Sequence, residues 1–207
     1  MRSKFLVAAA LIVGTASTAS AQIEVAGFAG TMVPLHVMVM DTAGGTYFNM
    51  SAHRVYGIRL GKSLSPTLGL ELQLGTGSGS FDALSGGTTP IINLPSNVYF
   101  ADARLRLRLV GSSDASLNAI GGVGYTKFST GLFQVAHEQD SGNNLKGVVT
   151  GIVGLGVRAK VNGQMTLTVD ATDRIHSQMV VVSGGLSGQI EKMQHDATVL
   201  AGVSFTP

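Results

Sequence analysis

The segment Asp102-Ala103-Arg104-Leu105-Arg106-Leu107-Arg108 places one acid and three guanidinium groups at every second position. In an extended chain alternate side chains share a face, so these charges point one way while Ala103, Leu105 and Leu107 point the other. The same alternation sets Arg59 between Ile58 and Leu60, Glu71 between Leu70 and Leu72, Arg158 and Lys160 around Ala159, Asp170 between Val169 and Ala171, and Asp196 beside Ala197. Six bases (Arg59, Arg104, Arg106, Arg108, Arg158, Lys160) thus share a polar face with five acids (Glu24, Glu71, Asp102, Asp170, Asp196). Buried charges must pair. If this face is interior, its chemistry is a structural salt-bridge network and not turnover.

Other constellations are weaker. Gly75-Thr76-Gly77-Ser78-Gly79-Ser80 and the glycines from Gly151 to Gly156 open no helix within a βαβ unit, so they do not form a dinucleotide site; small residues beside long ones account for them. His176 and Ser177 are adjacent, and adjacent strand residues point to opposite faces, so they do not pair as base and nucleophile. The five histidines show no His-x-His or HExxH spacing, and there is no cysteine. No catalytic, metal or cofactor site follows.

The elements that must position the charges are strands. Eight segments alternate with period two, near 23–31, 53–62, 69–78, 98–109, 117–127, 148–161, 165–174 and 195–206. Three connections are short (Ser63 to Thr67, Gly111 to Asp114, Asn162 to Gln164), and the other four run to about 15–20 residues. The face opposite the charges is free of them, from Val25 and Ile58 through Leu105, Val123, Leu155 and Val169 to Val203 and Phe205. A soluble barrel turns such a face inward; a membrane barrel turns it to lipid and keeps short turns on the periplasmic side. The fold expected is all-β, an eight-stranded antiparallel up-and-down transmembrane β-barrel. Parity also requires a three-residue loop at Asn162–Gln164, with Asn162 or Gly163 at positive φ, so that Arg158 faces Thr168. The arginines at 104, 106 and 108 should face Gly122, Ile120 and Asn118, where small neighbours leave room.

Residues 1–21 read as a cleavable signal peptide: Arg2 and Lys4, an apolar run from Phe5 to Val13, and Ala19-Ser20-Ala21 before the cut. The run is shorter than the roughly 20 residues of a spanning helix. Removing Arg2 and Lys4 from 14 bases leaves 12 against 12 acids, so the mature chain, 22–207, is neutral and no nucleic-acid partner is implied. With 28 glycines and only 13% charged residues, the full chain suits two different solvents.

In Glu24-Val25-Ala26-Gly27-Phe28, Gly57-Ile58-Arg59-Leu60-Gly61, Thr67-Leu68-Gly69-Leu70-Glu71, Gly121-Gly122-Val123-Gly124-Tyr125 and the alternation closing at Phe205, the chain resembles the outer-membrane β-barrel superfamily of OmpA and OmpX-type eight-stranded domains. Members usually end on an aromatic residue read by the assembly machinery; here Phe205 precedes Thr206-Pro207. The resemblance implies the outer membrane of a Gram-negative-type bacterium, with its lipid and its assembly machinery as partners. Lipid A deacylases of similar size space their His and Ser by one residue, a spacing His176-Ser177 lacks. Tyr56, Tyr99, Phe100, Tyr125, Phe128 and Phe205 are the candidate interfacial aromatics.

Three functional classes follow: a structural or interaction barrel with a charge-plugged lumen; a narrow channel or port for small hydrophobic solutes; and a soluble lipocalin-like periplasmic binder with its apolar face inward. Two connections are apolar, Val33 to Met40 and Met179 to Val182. They are either strand extensions above the membrane or a patch for a hydrophobic ligand or protein.

Overall fold

The computed structural model describes residues 23–35, 39–41, 46–85, 89–130, 147–177 and 193–206. Its strands are β1 (Ile23–Pro34), β2 (Val39–Asp41), β3 (Thr46–Met50), β4 (His53–Ser63), β5 (Leu68–Ser85), β6 (Thr89–Gly111), β7 (Ala115–Thr130), β8 (Val148–Lys160), β9 (Met165–Ser177) and β10 (Met193–Phe205). From β4 to β10 each strand pairs antiparallel with the next, and β1 lies between β10 and β4. The eight long strands therefore form a closed ring. Closure matters in lipid, because every backbone polar group must find its partner within the protein.

Three side chains hold the short turns. Ser65 Oγ accepts from the Leu68 amide at 3.0 Å, Ser112 Oγ from Asp114 at 3.2 Å, and Asn162 Oδ1 from Gln164 and Met165 at 2.9 Å each. Arg158 does pair with Thr168 across the last of these. Gly163 is not in the left-handed region, however. Among the described glycines that conformation belongs to Gly111, with φ 105°. The Asn162 side chain, accepting from two amides, holds the turn.

On the long-loop side two expectations change. The strand expected near 69–78 does not stop there: β5 and β6 run on as a ladder to Ser85 and Thr89. Instead of only the first, second, seventh and eighth barrel strands prolonging one another, β2 and β3 form a hairpin that pairs with the upper part of β5, Met50 opposite Phe81. Residues 179–182 lie outside the described residues.

The alternation sorts the two faces as charge requires. Leu105, Leu107, Val153, Leu155, Val169 and Val203 are 45–52% exposed, while Arg59, Glu71, Asp102, Arg104, Arg106 and Asp170 are buried in the lumen. On β4 the outward charges Arg54 and Lys62 bracket Tyr56, Ile58 and Leu60. That interval is about 26 Å of strand at ~3.3 Å per residue, close to the height of a lipid-facing band once tilted.

Candidate functional site

The lumen has three tiers. In the middle one, Arg59 from β4, Glu71 from β5, Arg104 and Arg106 from β6 and Asp170 from β9 converge. Arg59 Nη2 lies 2.8 Å from Asp170 Oδ2, and Arg104 Nη2 lies 2.6 Å from Glu71 Oε2 and 3.1 Å from Asp170 Oδ2. Arg106 closes the cluster with Nε 2.8 Å from Glu71 Oε1 and Nη2 3.1 Å from Asp170 Oδ1. Gln73 links this knot to a second: its Oε1 accepts from Arg59 at 2.9 Å and its Nε2 donates to Asp102 at 3.3 Å. Asp102 takes both ends of the Arg174 guanidinium, at 2.8 and 2.9 Å, the planar pairing for which arginine is suited.

Room for these long side chains comes from the facing strands. Arg104, Arg106 and Arg108 are registered against Gly122, Ile120 and Asn118, as parity required. At Gly156, opposite Asp170, an added β-carbon would lie 2.3 Å from Asp170 Oδ1, 2.8 Å from Arg106 Nη1 and 3.0 Å from Ile120 Cδ1. A glycine there is what lets the guanidinium cross the lumen.

The tier at the short-turn end is looser. Arg158 pairs with Glu24, and a hollow of about 240 Å3 opens beside Arg106, Arg108 and Asn118. Here the expected single network is corrected. Arg108 is half-buried and Lys160 exposed, and neither has an ion pair among the described residues. Both stand near the turn end of their strands, where water solvates them. Asp196 is also apart from the central knot, buried 3.0 Å from His176 Nε2 near the other end.

The upper tier was not anticipated. Phe28, Met32, Val55, Phe81, Val98, Phe100, Phe128 and Leu200 pack inward as an apolar cluster. Phe100 and Phe128, expected at the membrane interface, are 4% and 1% exposed and line the lumen instead. The two tiers meet through cation–π contacts, Arg174 4.8 Å from the Phe100 ring centroid and Arg59 5.7 Å from that of Phe28. Tyr56, Tyr99, Tyr125 and Phe205 do face outward.

Arg174, Gln73 and the inward aromatics were missed, yet the signal was present: Arg174 shares the parity of Asp170, and Phe100 that of Asp102. His176 points inward and Ser177 is exposed, so they diverge as adjacent strand residues should. Among the described residues no cluster of three His, Asp or Glu is arranged to hold a metal ion.

No family model matches the sequence. Nor does any curated protein match it. Solved structures do. OprG, an outer membrane protein of Pseudomonas aeruginosa, superposes with a TM-score of 0.60 at 15% identity, over 89% of this chain and 95% of that one. Neisserial surface protein A superposes with a TM-score of 0.51 at 12% identity, over 89% and 96%. The chain shares their fold, a closed eight-stranded antiparallel β-barrel. Such barrels tolerate this sequence divergence because the fold asks only for alternation, closure and a filled lumen. The barrel's interior charge is therefore the part of this chain with individual chemical character.

Proposed function

We propose that this outer-membrane barrel has a structural or interaction role, that its lumen is closed by the charge network, and that residues 1–21 are removed on export. One observation carries the reading: the three guanidinium and two carboxylate groups of the middle tier are each 5% exposed or less, and they meet at the barrel's centre. An eight-stranded ring is just wide enough for its side chains to fill, and a filled, paired tier leaves no room for a hydrated ion. The aromatic tier above it supports the same reading. A soluble lipocalin-like binder would need the reverse arrangement, an apolar cavity within and charges without.

The partners that follow are membrane lipid, the assembly machinery that closes the ring, and any ligand or protein that meets the long-loop end. Planar-bilayer recording is the test. The wild-type barrel should give no reproducible single-channel steps, and steady conductance steps would favour the channel reading. Extraction from outer membranes should yield a species whose mobility changes on boiling, with an intact mass beginning at Gln22. Release with the soluble periplasm would favour the lipocalin-like reading.

A further inference from the structure

The outer wall is not uniform around the ring. Across β4 to β8 the outward row Ile58, Leu74, Ala101, Tyr125 and Val149 lies in register, and the next row toward the turns holds Leu60, Leu72, Ala103 and Val123. Ala101 and Ala103 form a low floor between the leucine ridge of β5 and the Val123–Tyr125 ridge of β7, leaving a hollow of about 550 Å3. The two ridges stand on strands about 10 Å apart, the width of a trough for hydrocarbon chains.

Immediately above the hollow the wall becomes polar. One row up are Tyr56, Thr76, Tyr99 and Lys127, and above these are Arg54, Ser78 and Asn97. A second hollow of about 350 Å3, lined by Ser51, Arg54, Ser78, Ser80 and Asn93, sits at this level. Arg54 is exposed and Lys127 half-buried, and neither pairs with a carboxylate among the described residues. The acid at this rim, Asp82, lies two residues beyond Ser80 and accepts from Asn93 Nδ2 at 2.6 Å, while on the opposite wall Asp173 Oδ2 lies 2.7 Å from His195 Nδ1.

We infer that the β4–β7 wall is a docking site for an anionic lipid whose head group carries two phosphates. An acyl chain lies over Ala101 and Ala103, and Arg54 and Lys127 each take one phosphate. Charge complementarity selects this occupant over a zwitterionic lipid: two unpaired cations stand over an apolar trough, with the hydroxyls of Tyr99 and Ser78 between them. Their strands are about 14 Å apart at ~4.8 Å per step, more than one phosphate spans unaided and suited to two. The site rests on the membrane reading of the outer face, and the test separates the two.

The chain has no tryptophan, so a single reporter is unambiguous. Tyr125→Trp places it beside the trough, and Val169→Trp on the opposite wall. Each variant is refolded into phosphatidylcholine vesicles containing brominated phosphatidylcholine or brominated cardiolipin, a lipid with two phosphates, and fluorescence quenching gives the relative affinity. Brominated phosphatidylcholine should quench both reporters; if it quenches neither, the membrane reading itself fails. At position 125 cardiolipin should be preferred by about fivefold or more, the worth of a single engaged cation, with no comparable preference at 169. The preference should fall to near unity when Arg54→Gln and Lys127→Gln are added. Equal preference at both walls, no preference at 125, or a preference that survives the double substitution would overturn the site while leaving the barrel intact.

Discussion

Replacing Asp170 with asparagine tests the central knot through its charge balance. Asp170 is 1% exposed and meets Arg59, Arg104 and Arg106 within 3.1 Å. The knot holds three guanidinium groups against two carboxylates, Glu71 and Asp170, so it begins with one surplus positive charge. Asp170→Asn raises the surplus to two among buried side chains. Breaking a buried pair by removing one partner costs about 3–5 kcal/mol, and three partners place this case at the upper end. Arg106→Met has the opposite sign: it leaves Arg59 and Arg104 facing Glu71 and Asp170, balanced, with a flexible apolar chain in the vacated space. Its cost should be smaller by about 2 kcal/mol or more. The double variant restores the wild-type surplus and should be less destabilised than the sum of the single variants, a non-additivity expected of residues in one network. Urea titration of barrels refolded into lipid vesicles, followed by the mobility difference between folded and boiled protein, measures all three. Equal losses for Asp170→Asn and Arg106→Met, or strict additivity in the double variant, would refute the charge-balance argument.

Three further outcomes follow. Leu105→Arg puts a charge on the lipid face and should cost about 2–4 kcal/mol near the midplane, whereas Arg108→Gln, at the hydrated mouth, should be nearly neutral in the same urea titration. Arg174→Leu strands Asp102 and removes the Phe100 contact, so a loss of about 3–5 kcal/mol is expected; an unchanged urea midpoint would mean the Asp102 pair contributes nothing. Gly156→Val should push Arg106 off Asp170, destabilising by about 1–3 kcal/mol through overpacking. Combining it with Arg106→Met should recover only a small part of that loss, because the guanidinium contact is then gone while the closer contact with the Asp170 carboxylate stays.

What could be read from sequence was the face on which a residue lies, and what could not was its depth and its partner. Strand periodicity is two, so the register of Arg104, Arg106 and Arg108 against Gly122, Ile120 and Asn118 follows once strands and turns are placed. The partner of Asp102 does not. Arg174 reaches it across the lumen from β9, which depends on the tilt and stagger of the closed ring and on side-chain length. The aromatic tier was hidden for a different reason. Phe100 and Phe128 have inward parity, but aromatic residues also form lipid-facing girdles, and residue type alone weighed against the period. Beyond Ser78, where the expected strand ends, the β5 ladder continues to Ser85, because pairing with β6 overrides the weak strand preference of Gly79 and Ser80. Lys160 lay on the correct face but too close to the turn for burial, so it does not join the knot.

Single cysteines on the two faces test the account most directly, since the native chain has none. Leu105→Cys and Val169→Cys are outward, and Thr168→Cys and Thr172→Cys replace neutral inward residues no more than 7% exposed. In barrels refolded into phosphatidylcholine vesicles, the outward pair should react with a lipid-soluble maleimide and resist a charged, membrane-impermeant one. The inward pair should resist both, because the lumen is filled. Rapid labelling of 105 and 169 by the impermeant reagent, with 168 and 172 open to the lipid-soluble one, would invert the faces and contradict the barrel described here.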